Sequence, residues 1–357
     1  SPEQVTWWKE LYFHGLGEYL WLNSIDIDKD ALMGIEVASK ECFTAMSFPL
    51  SDELIIPVGG GKDSAVTLKL LHNYPGSAPL IMNPRPASTL SAYVAGFQEN
   101  DIIEVQRSID PTLIELNTKG FLNGHTPFSA MLGFVTLLVS GITGKRFIAL
   151  SNEASASEPT IPGTNINHQY SKSIDFETSF RHYIHQWIHP EMEYFSFLRP
   201  LNELQIAAIF SKSEAFHPVF KSCNAGSKTD EWCGKCSKCL FTAIILATFL
   251  SEQKLFAIFG KDMLNDSSLA GYFDQLTGIA AEKPFDCVGT VNEVNAAVQV
   301  LIHRHSGENL PALLERYLLN RQLQHDPEAW FELELHSFPD QHHLPEQFLK
   351  ILRHAIL

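Results

Sequence analysis

Leu54-Ile-Ile-Pro-Val-Gly-Gly-Gly-Lys-Asp-Ser-Ala-Val-Thr-Leu-Lys-Leu-Leu71 is the stretch whose reading decides the fold. Apolar β-formers run to Val58 and three glycines follow. Asp63 and Ser64 then open a segment whose apolar residues Ala65, Leu68 and Leu71 recur at helical spacing. The stretch reads as strand, glycine loop, helix. Glycines let backbone N–H groups approach an anion without a Cβ in the way, and a helix N-terminus adds partial positive charge, so the junction suits a phosphate or pyrophosphate. It is not a Walker A loop, because Lys62 is followed by Asp63 and only then by Ser64. The competing reading is a glycine turn with no ligand. The coincidence of tight loop, Lys-Asp-Ser order and helix start favours the phosphate.

Working outward, Leu80–Met82 reads as a second strand, Thr89–Gln98 as a helix and Ile102–Val105 as a third strand. Phe128–Ile142 is the next helix, and Phe147–Leu150 a strand that ends at Ser151-Asn-Glu153. Alternation at these lengths predicts an α/β fold with a doubly wound parallel sheet, whose ligands sit beyond the carboxyl ends of the strands. That rule nominates Gly59–Ser64, Met82-Asn83 and Ser151-Asn152-Glu153 as one rim. Asn83, before Pro84, either begins a turn or contacts an adenine. Asp63 is either an N-cap or, beside a triphosphate, a holder of Mg²⁺. Upstream, residues 1–52 form a short aromatic-rich N-terminal extension to which no chemistry is assigned. The chain opens on Ser-Pro rather than Met, as a trimmed chain would. Residues 53–250 are read as the domain that carries both the glycine loop and the four-cysteine cluster, an ATP pyrophosphatase domain on the resemblance given below. Residues 251–357 form a mainly helical C-terminal region, with helical spacing over Val291–His305, Leu310–Leu323 and Glu346–Leu357.

Composition narrows the function classes. A net charge of −15 argues against binding a nucleic-acid backbone wholesale, while leaving room for a local basic pocket for an anionic small molecule. The longest apolar runs, Phe128–Ile142 and Cys239–Leu250, fall short of the ~18 residues that a membrane span requires. Four of the six cysteines, Cys223, Cys233, Cys236 and Cys239, are spaced Cys-x9-Cys-x2-Cys-x2-Cys. That spacing suits four thiolates on one tetrahedral Zn²⁺ in a reducing, cytoplasmic compartment; reduced thiols or an iron–sulfur cluster are the alternatives. Glu158–Tyr170, interrupted by prolines, glycine and asparagines, reads as a long loop over the site and carries His168. Phe176–Ile188 reads as a core helix, and His182, His185 and His189 have no carboxylate or Cys that completes a metal pattern, so they are read as structural.

Gly59-Gly-Gly-Lys-Asp-Ser64 resembles the S-G-G-x-D-S loop of the N-type ATP pyrophosphatases (PP-loop superfamily), with Gly59 where that pattern has Ser. The cysteines resemble the zinc ligands of 7-cyano-7-deazaguanine synthase, a member of that superfamily. The ensemble of the glycine loop, Ser151-Asn-Glu153, Phe195–Ile206, Ser222-Cys-Asn224, Trp232–Phe241 and Pro284-Phe-Asp-Cys-Val-Gly289 resembles the bacterial UDP-N-acetylmuramoyl-L-alanyl-L-glutamate epimerase (MurL) family, over most of the chain.

The resemblance implies a nucleotide-hydrolase-like (HUP type) sheet. It also implies an enzyme that uses ATP and Mg²⁺ to invert the terminal L-Glu of UDP-MurNAc-L-Ala-L-Glu, releasing AMP and pyrophosphate in peptidoglycan precursor synthesis. On this reading Gly59, Gly60, Gly61, Lys62, Asp63, Ser64, Met82 and Asn83 hold ATP, Lys62 stabilises charge on the leaving pyrophosphate, and Asp63 takes Mg²⁺. Ser151, Asn152, Arg199 and Lys221 bind substrate, Glu153 lies at the substrate or metal, and Cys287 and His168 carry the proton. Two other readings stay open: an amide or nitrile synthetase or tRNA-modifying enzyme that also adenylates, and a non-catalytic ATP-binding or zinc scaffold.

Overall fold

Five parallel strands form one sheet in the order β3-β2-β1-β4-β5. They are β1 (Ser51–Pro57), β2 (Ala78–Met82), β3 (Ile103–Val105), β4 (Lys145–Leu150) and β5 (Glu193–Ser196). The computed structural model describes every residue except 42, 306–308 and 357. Pro57 is the last residue of β1, so its missing N–H falls at the end of the ladder rather than in its middle.

Alternation along the strands sends side chains to two cores, as a sheet covered on both faces requires. Leu54, Ile56, Ile81, Phe147 and Ala149 face one core; Ile55, Leu80, Ile148, Leu150 and Tyr194 face the other. The first face is covered by the helices Lys62–Leu71, Glu203–Ser211 and Ser237–Ala247, with Val291–Arg304 and Glu346–Ile356 packed into the same layer. The second is covered by Pro2–Gly15, Phe128–Thr143 and Ile174–Trp187. The N-terminal helix belongs to that layer: Trp8 stacks on Phe134 at 5.0 Å and Trp7 lies 4.5 Å from the Tyr183 ring. At the other end of the chain, Phe348 packs on Phe147, Phe195 and Tyr74. Both ends of the chain therefore complete the layers over the sheet.

The expected strands and helices are present with shifted bounds. Pro86 starts its helix earlier than expected, since proline suits the first helical turn. Strand β5 had no counterpart in the sequence reading, because a short apolar run such as Tyr194–Leu198 has no period of its own. Leu357, the expected end of the last helix, lies outside the described residues. No helix among the described residues is long and apolar enough to cross a membrane.

The strand order places the switch point between β1 and β4: the chain winds outward through β2 and β3, then returns to β4 on the other side. A crevice opens there at the carboxyl ends of the strands.

Candidate active site

The crevice is a cleft of about 350 Å³ lined by Gly59, Gly61, Asp63 and Ser64 from the glycine loop, by Met82, and by Ser151, Asn152 and Glu153 after β4. Its loop is held from outside. Arg85 Nη2 donates to the Gly59 carbonyl at 2.8 Å and the Lys221 N–H to the Gly60 carbonyl at 2.8 Å, so neither oxygen is free to oppose an incoming anion. Gly61 is the N-cap of the helix Lys62–Leu71 and supplies no side-chain cap. The first-turn N–H groups have no partners inside the helix, and those of Asp63 and Ser64 are thus available at the cleft. The Lys62 N–H donates to Ser222 Oγ at 3.2 Å.

Gly60 has φ +81, and a Cβ on it would lie 2.7 Å from the Ala87 carbonyl carbon and the Ser88 nitrogen. Gly60→Ala should therefore displace the loop and lower the affinity for any nucleotide the loop holds by roughly tenfold, given the ~1–2 kcal/mol cost of left-handed backbone alone. Gly59 has open space around its Cβ position, so Gly59→Ser should retain wild-type affinity; equilibrium nucleotide binding checks both.

Lys62 pairs with two carboxylates. Its side chain is 3% exposed and runs beneath the loop, where Nζ bonds Asp63 and, at 2.6 Å, Glu203 Oε2. Burial would lower the pKa of this ammonium, but the two carboxylates hold it above the ordinary lysine range. Asn83 takes the turn role. With φ +50, it spends its side chain on the Arg107 backbone, accepting at 2.7 Å and donating at 2.9 Å, and it locks a turn rather than lining the cleft.

Arg199 pairs inside the protein. It is 2% exposed and absent from the cleft wall, and its guanidinium donates to the Glu153 carbonyl at 2.7 Å, to Glu177 Oε2 and Ser196 Oγ at 3.1 Å, and to the Lys172 carbonyl. It fixes the backbone that presents Glu153. Asn152 is braced by Ser196 Oγ at 2.9 Å, and the buried Ser151 hydroxyl has no hydrogen-bond partner. Lys221 does line the cleft.

The far wall brings together groups distant in sequence. Cys287 lines the cleft with its Sγ 3.2 Å from Lys172 Nζ, while Lys238 Nζ bonds the Cys287 carbonyl. Burial alone would raise the thiol's pKa. The ammonium groups of Lys172 and Lys238 and the hydrogen-bonding His168 outweigh it and bring the thiol down to about 6. His168 stands behind Cys287, outside the cleft wall, with Nδ1 bonded to Glu18. Its burial favours the neutral ring, but Cys287 and Glu18 raise its pKa to about 9. Arg85, Lys172 and Lys238 were not foreseen. With Lys221 they set four cations against Asp63 and Glu153 in the wall. No local pattern marks them, since their positions in the cleft follow from chain crossings; their charge in an acidic chain is the only signal.

Cys223, Cys233, Cys236 and Cys239 converge beside this wall, with sulfur separations of 3.8 Å for Cys223–Cys236, 3.8 Å for Cys233–Cys239 and 3.4 Å for Cys236–Cys239. A tetrahedron with arms of ~2.3 Å has edges of about 3.8 Å, so the donor set fits Zn²⁺. The Gly226 N–H donates to Cys223 Sγ at 3.2 Å and the Cys239 N–H to Cys236 Sγ at 3.4 Å, which orients these sulfurs. His182, His185 and His189 form no metal cluster among the described residues.

The chain matches the family models described as MurL N-terminal domain, over residues 1–197, and MurL C-terminal domain, over residues 219–328. It is similar to three proteins named UDP-N-acetyl-alpha-D-muramoyl-L-alanyl-L-glutamate epimerase. Identity is 32% to that of Xanthomonas oryzae pv. oryzae, over 94% of this chain and 75% of the relative. It is 33% to that of Salinispora tropica, over 88% and 69%, and 30% to that of a Micromonospora species, over 96% and 77%.

Proposed function

The chain belongs to the MurL family, and from that premise we propose that it is an epimerase that inverts the terminal L-Glu of UDP-MurNAc-L-Ala-L-Glu, using ATP to activate the carboxylate beside the reacting carbon. The observation that carries the reading is that a phosphate-type glycine loop and the Cys287–Lys172 pair line one cleft. The strand order, with the loop at the switch point, supports a PP-loop sheet of HUP type.

A carboxylate anion next to the α-carbon resists a second negative charge. When the carboxylate oxygen attacks the α-phosphorus of ATP and pyrophosphate leaves, that charge is removed and the carbonyl becomes electron-withdrawing. The amide oxygen of the L-Ala–L-Glu bond can then displace AMP as the amide N–H proton passes to solvent, closing an oxazolone whose α-proton is lost easily; an enolised adenylate is the competing route. Cys287 and Glu153 are assigned the two proton transfers. One takes the α-proton while the C–H electron pair passes to the carbonyl oxygen, and the other returns a proton to the opposite face. Water then restores the carboxylate. Arg85, Lys172, Lys221 and Lys238 suit the cleft to an anionic nucleotide and substrate. Asp63 is the hard oxygen donor that would hold Mg²⁺, which neutralises phosphate charge when bound.

The test is incubation with ATP, Mg²⁺ and UDP-MurNAc-L-Ala-L-Glu, with AMP measured and the glutamate chirality determined after hydrolysis. D-Glu with AMP is expected. AMP without D-Glu would move the reading to another adenylated acceptor, and neither product from folded protein would favour a scaffold.

We also assign a structural zinc to the four cysteines. Elemental analysis should find one zinc per chain. Cys236→Ser should lower Tm by about 5 °C or more, because the site pins the 223–239 loop whose Trp232 packs on Phe220 and Phe259.

A further inference from the structure

Helix Gly17–Leu22, in the N-terminal segment to which the sequence assigned no chemistry, delivers Glu18 to the imidazole of His168. Both side chains are 11% exposed. We propose that Glu18 is the positioning residue of a Glu18–His168–Cys287 relay, in which the carboxylate fixes the imidazole behind the cleft and the imidazole holds the Cys287 thiolate ready for the substrate's α-proton. This rests on the epimerase reading above.

The geometry assigns each group its part. Glu18 takes Nδ1 of His168 and leaves Nε2 as the nitrogen that can serve the thiol. The His125 ring lies on the His168 ring, with centroids 4.3 Å apart and planes inclined at 43°, and limits its swing. Burial and the charge on His168 lower the pKa of His125, which therefore stays neutral beside a protonated His168. On the thiol's other side Lys172 Nζ stands 3.2 Å from Sγ, and Lys238 ties down the Cys287 carbonyl. The Cys287 N–H donates to Asp286 Oδ1 at 3.1 Å, so the backbone carrying the thiol is restrained at both ends of the residue.

Cys287, Lys172 and Lys238 of this set reach the cleft wall, whereas Glu18, His125 and His168 form a layer behind it. Cys287 is thus the group that would touch the reacting atoms, and His168 and Glu18 act through it. In the proton transfer the S–H bond forms as the C–H bond breaks. His168 keeps its own proton and compensates the thiolate charge before the transfer. The groups facing the pair are Lys172, Lys238 and Asp286 around Cys287, and Glu18 and His125 around His168; Lys172 is in turn faced by Glu153 and Asp63.

The decisive variant is Glu18→Gln, which keeps the shape of the side chain and removes its charge. Two readouts are taken. In the first, D-Glu formation is compared with AMP release at saturating ATP and substrate. The variant should form D-Glu roughly 10²-fold more slowly, with the ratio of AMP to D-Glu rising, because activated substrate would return to L-Glu by hydrolysis. Glu18→Asp should restore part of the loss. In the second, Cys287 is alkylated with iodoacetamide across pH and read by peptide mapping. Its midpoint, expected at about 6 in the wild type, should move up by about one pH unit in Glu18→Gln.

Wild-type epimerisation with an unmoved midpoint would overturn the proposal. So would an equal loss of AMP and D-Glu in a variant that melts like the wild type. If the wild-type protein forms no D-Glu, the epimerase reading fails instead, and the alkylation midpoint alone decides the relay. If Glu18→Gln does not fold, His168→Gln and Glu18→Asp take the same two measurements.

Discussion

Cys287→Ser is expected to lower D-Glu formation by about 10²–10⁴-fold while ATP is still converted to AMP in the presence of substrate. The expectation follows from where the thiol sits. The glycine loop that would hold ATP is built from Gly59–Ser64, and Cys287 enters the cleft from a segment more than two hundred positions later in the chain. Activation of the carboxylate and removal of the α-proton are therefore borne by different groups and should separate on mutation. A serine hydroxyl at that place is a far weaker base than a thiolate flanked by Lys172 and His168. In deuterium oxide the wild-type product should carry solvent deuterium at the α-carbon, and the variant's recovered substrate should carry little. D-Glu formation at the wild-type rate would reduce Cys287 to a packed thiol. Loss of AMP as well would move it into the activation step.

The same pair sets the pH profile. Cys287 is deprotonated above about 6 and His168 stays protonated below about 9. The thiolate–imidazolium pair thus exists between those values, and kcat/KM should rise through the lower and fall through the upper. Cys287→Ser should remove the lower limb from whatever residual activity it has.

Lys62→Met is expected to destabilise the protein by about 3–5 kcal/mol, the usual cost of removing one partner from a buried ion pair. Lys62 neutralises Asp63 and Glu203 under the loop, and Glu293 accepts from the Glu203 N–H at 2.7 Å, so a second buried carboxylate lies close by. Burial pushes the Glu203 carboxyl above its ordinary range; Lys62 opposes this, and Asp63, Glu153 and Glu293 add to it. Without the lysine that upward shift grows. A carboxyl whose folded pKa lies above its unfolded value costs nothing below the unfolded value, and the cost rises with pH until the folded pKa is passed. The Tm deficit of Lys62→Met should therefore be smaller at pH 5 than at pH 8. A variant with wild-type Tm at both, but with slow AMP formation, would return Lys62 to the leaving phosphate.

The glycine loop, the helix after it and most of the parallel strands were legible because each depends on local rules. A strand that buries both faces is apolar throughout, a tight loop needs glycine, and a helix repeats its apolar positions every three to four residues. The cysteines were legible because neighbouring metal ligands need a fixed short separation. What lay outside these rules is where a long side chain goes. Lys62 stands beside the loop in sequence, yet its ammonium turns under it to Glu203, 141 positions away. Arg199 belongs to a recognisable motif but spends its hydrogen bonds on Glu153, Glu177 and Ser196, fixing the backbone behind the cleft. Nothing around Trp7 and Trp8 announces that their helix covers the sheet and leads to Glu18, because that depends on which surface is left uncovered once the strands have paired.

By itself, then, the sequence determined the α/β layering, the phosphate-type loop at the end of β1 and the four-thiolate cluster, all of them consequences of spacing along the chain. Only the tertiary structure decided that Glu18, His168, Lys172 and Cys287 meet, and that Lys62, Asn83 and Arg199 support the cleft from outside. The reason is physical: such contacts are selected by the burial and pairing of charges between segments far apart in the chain, and no local period records them.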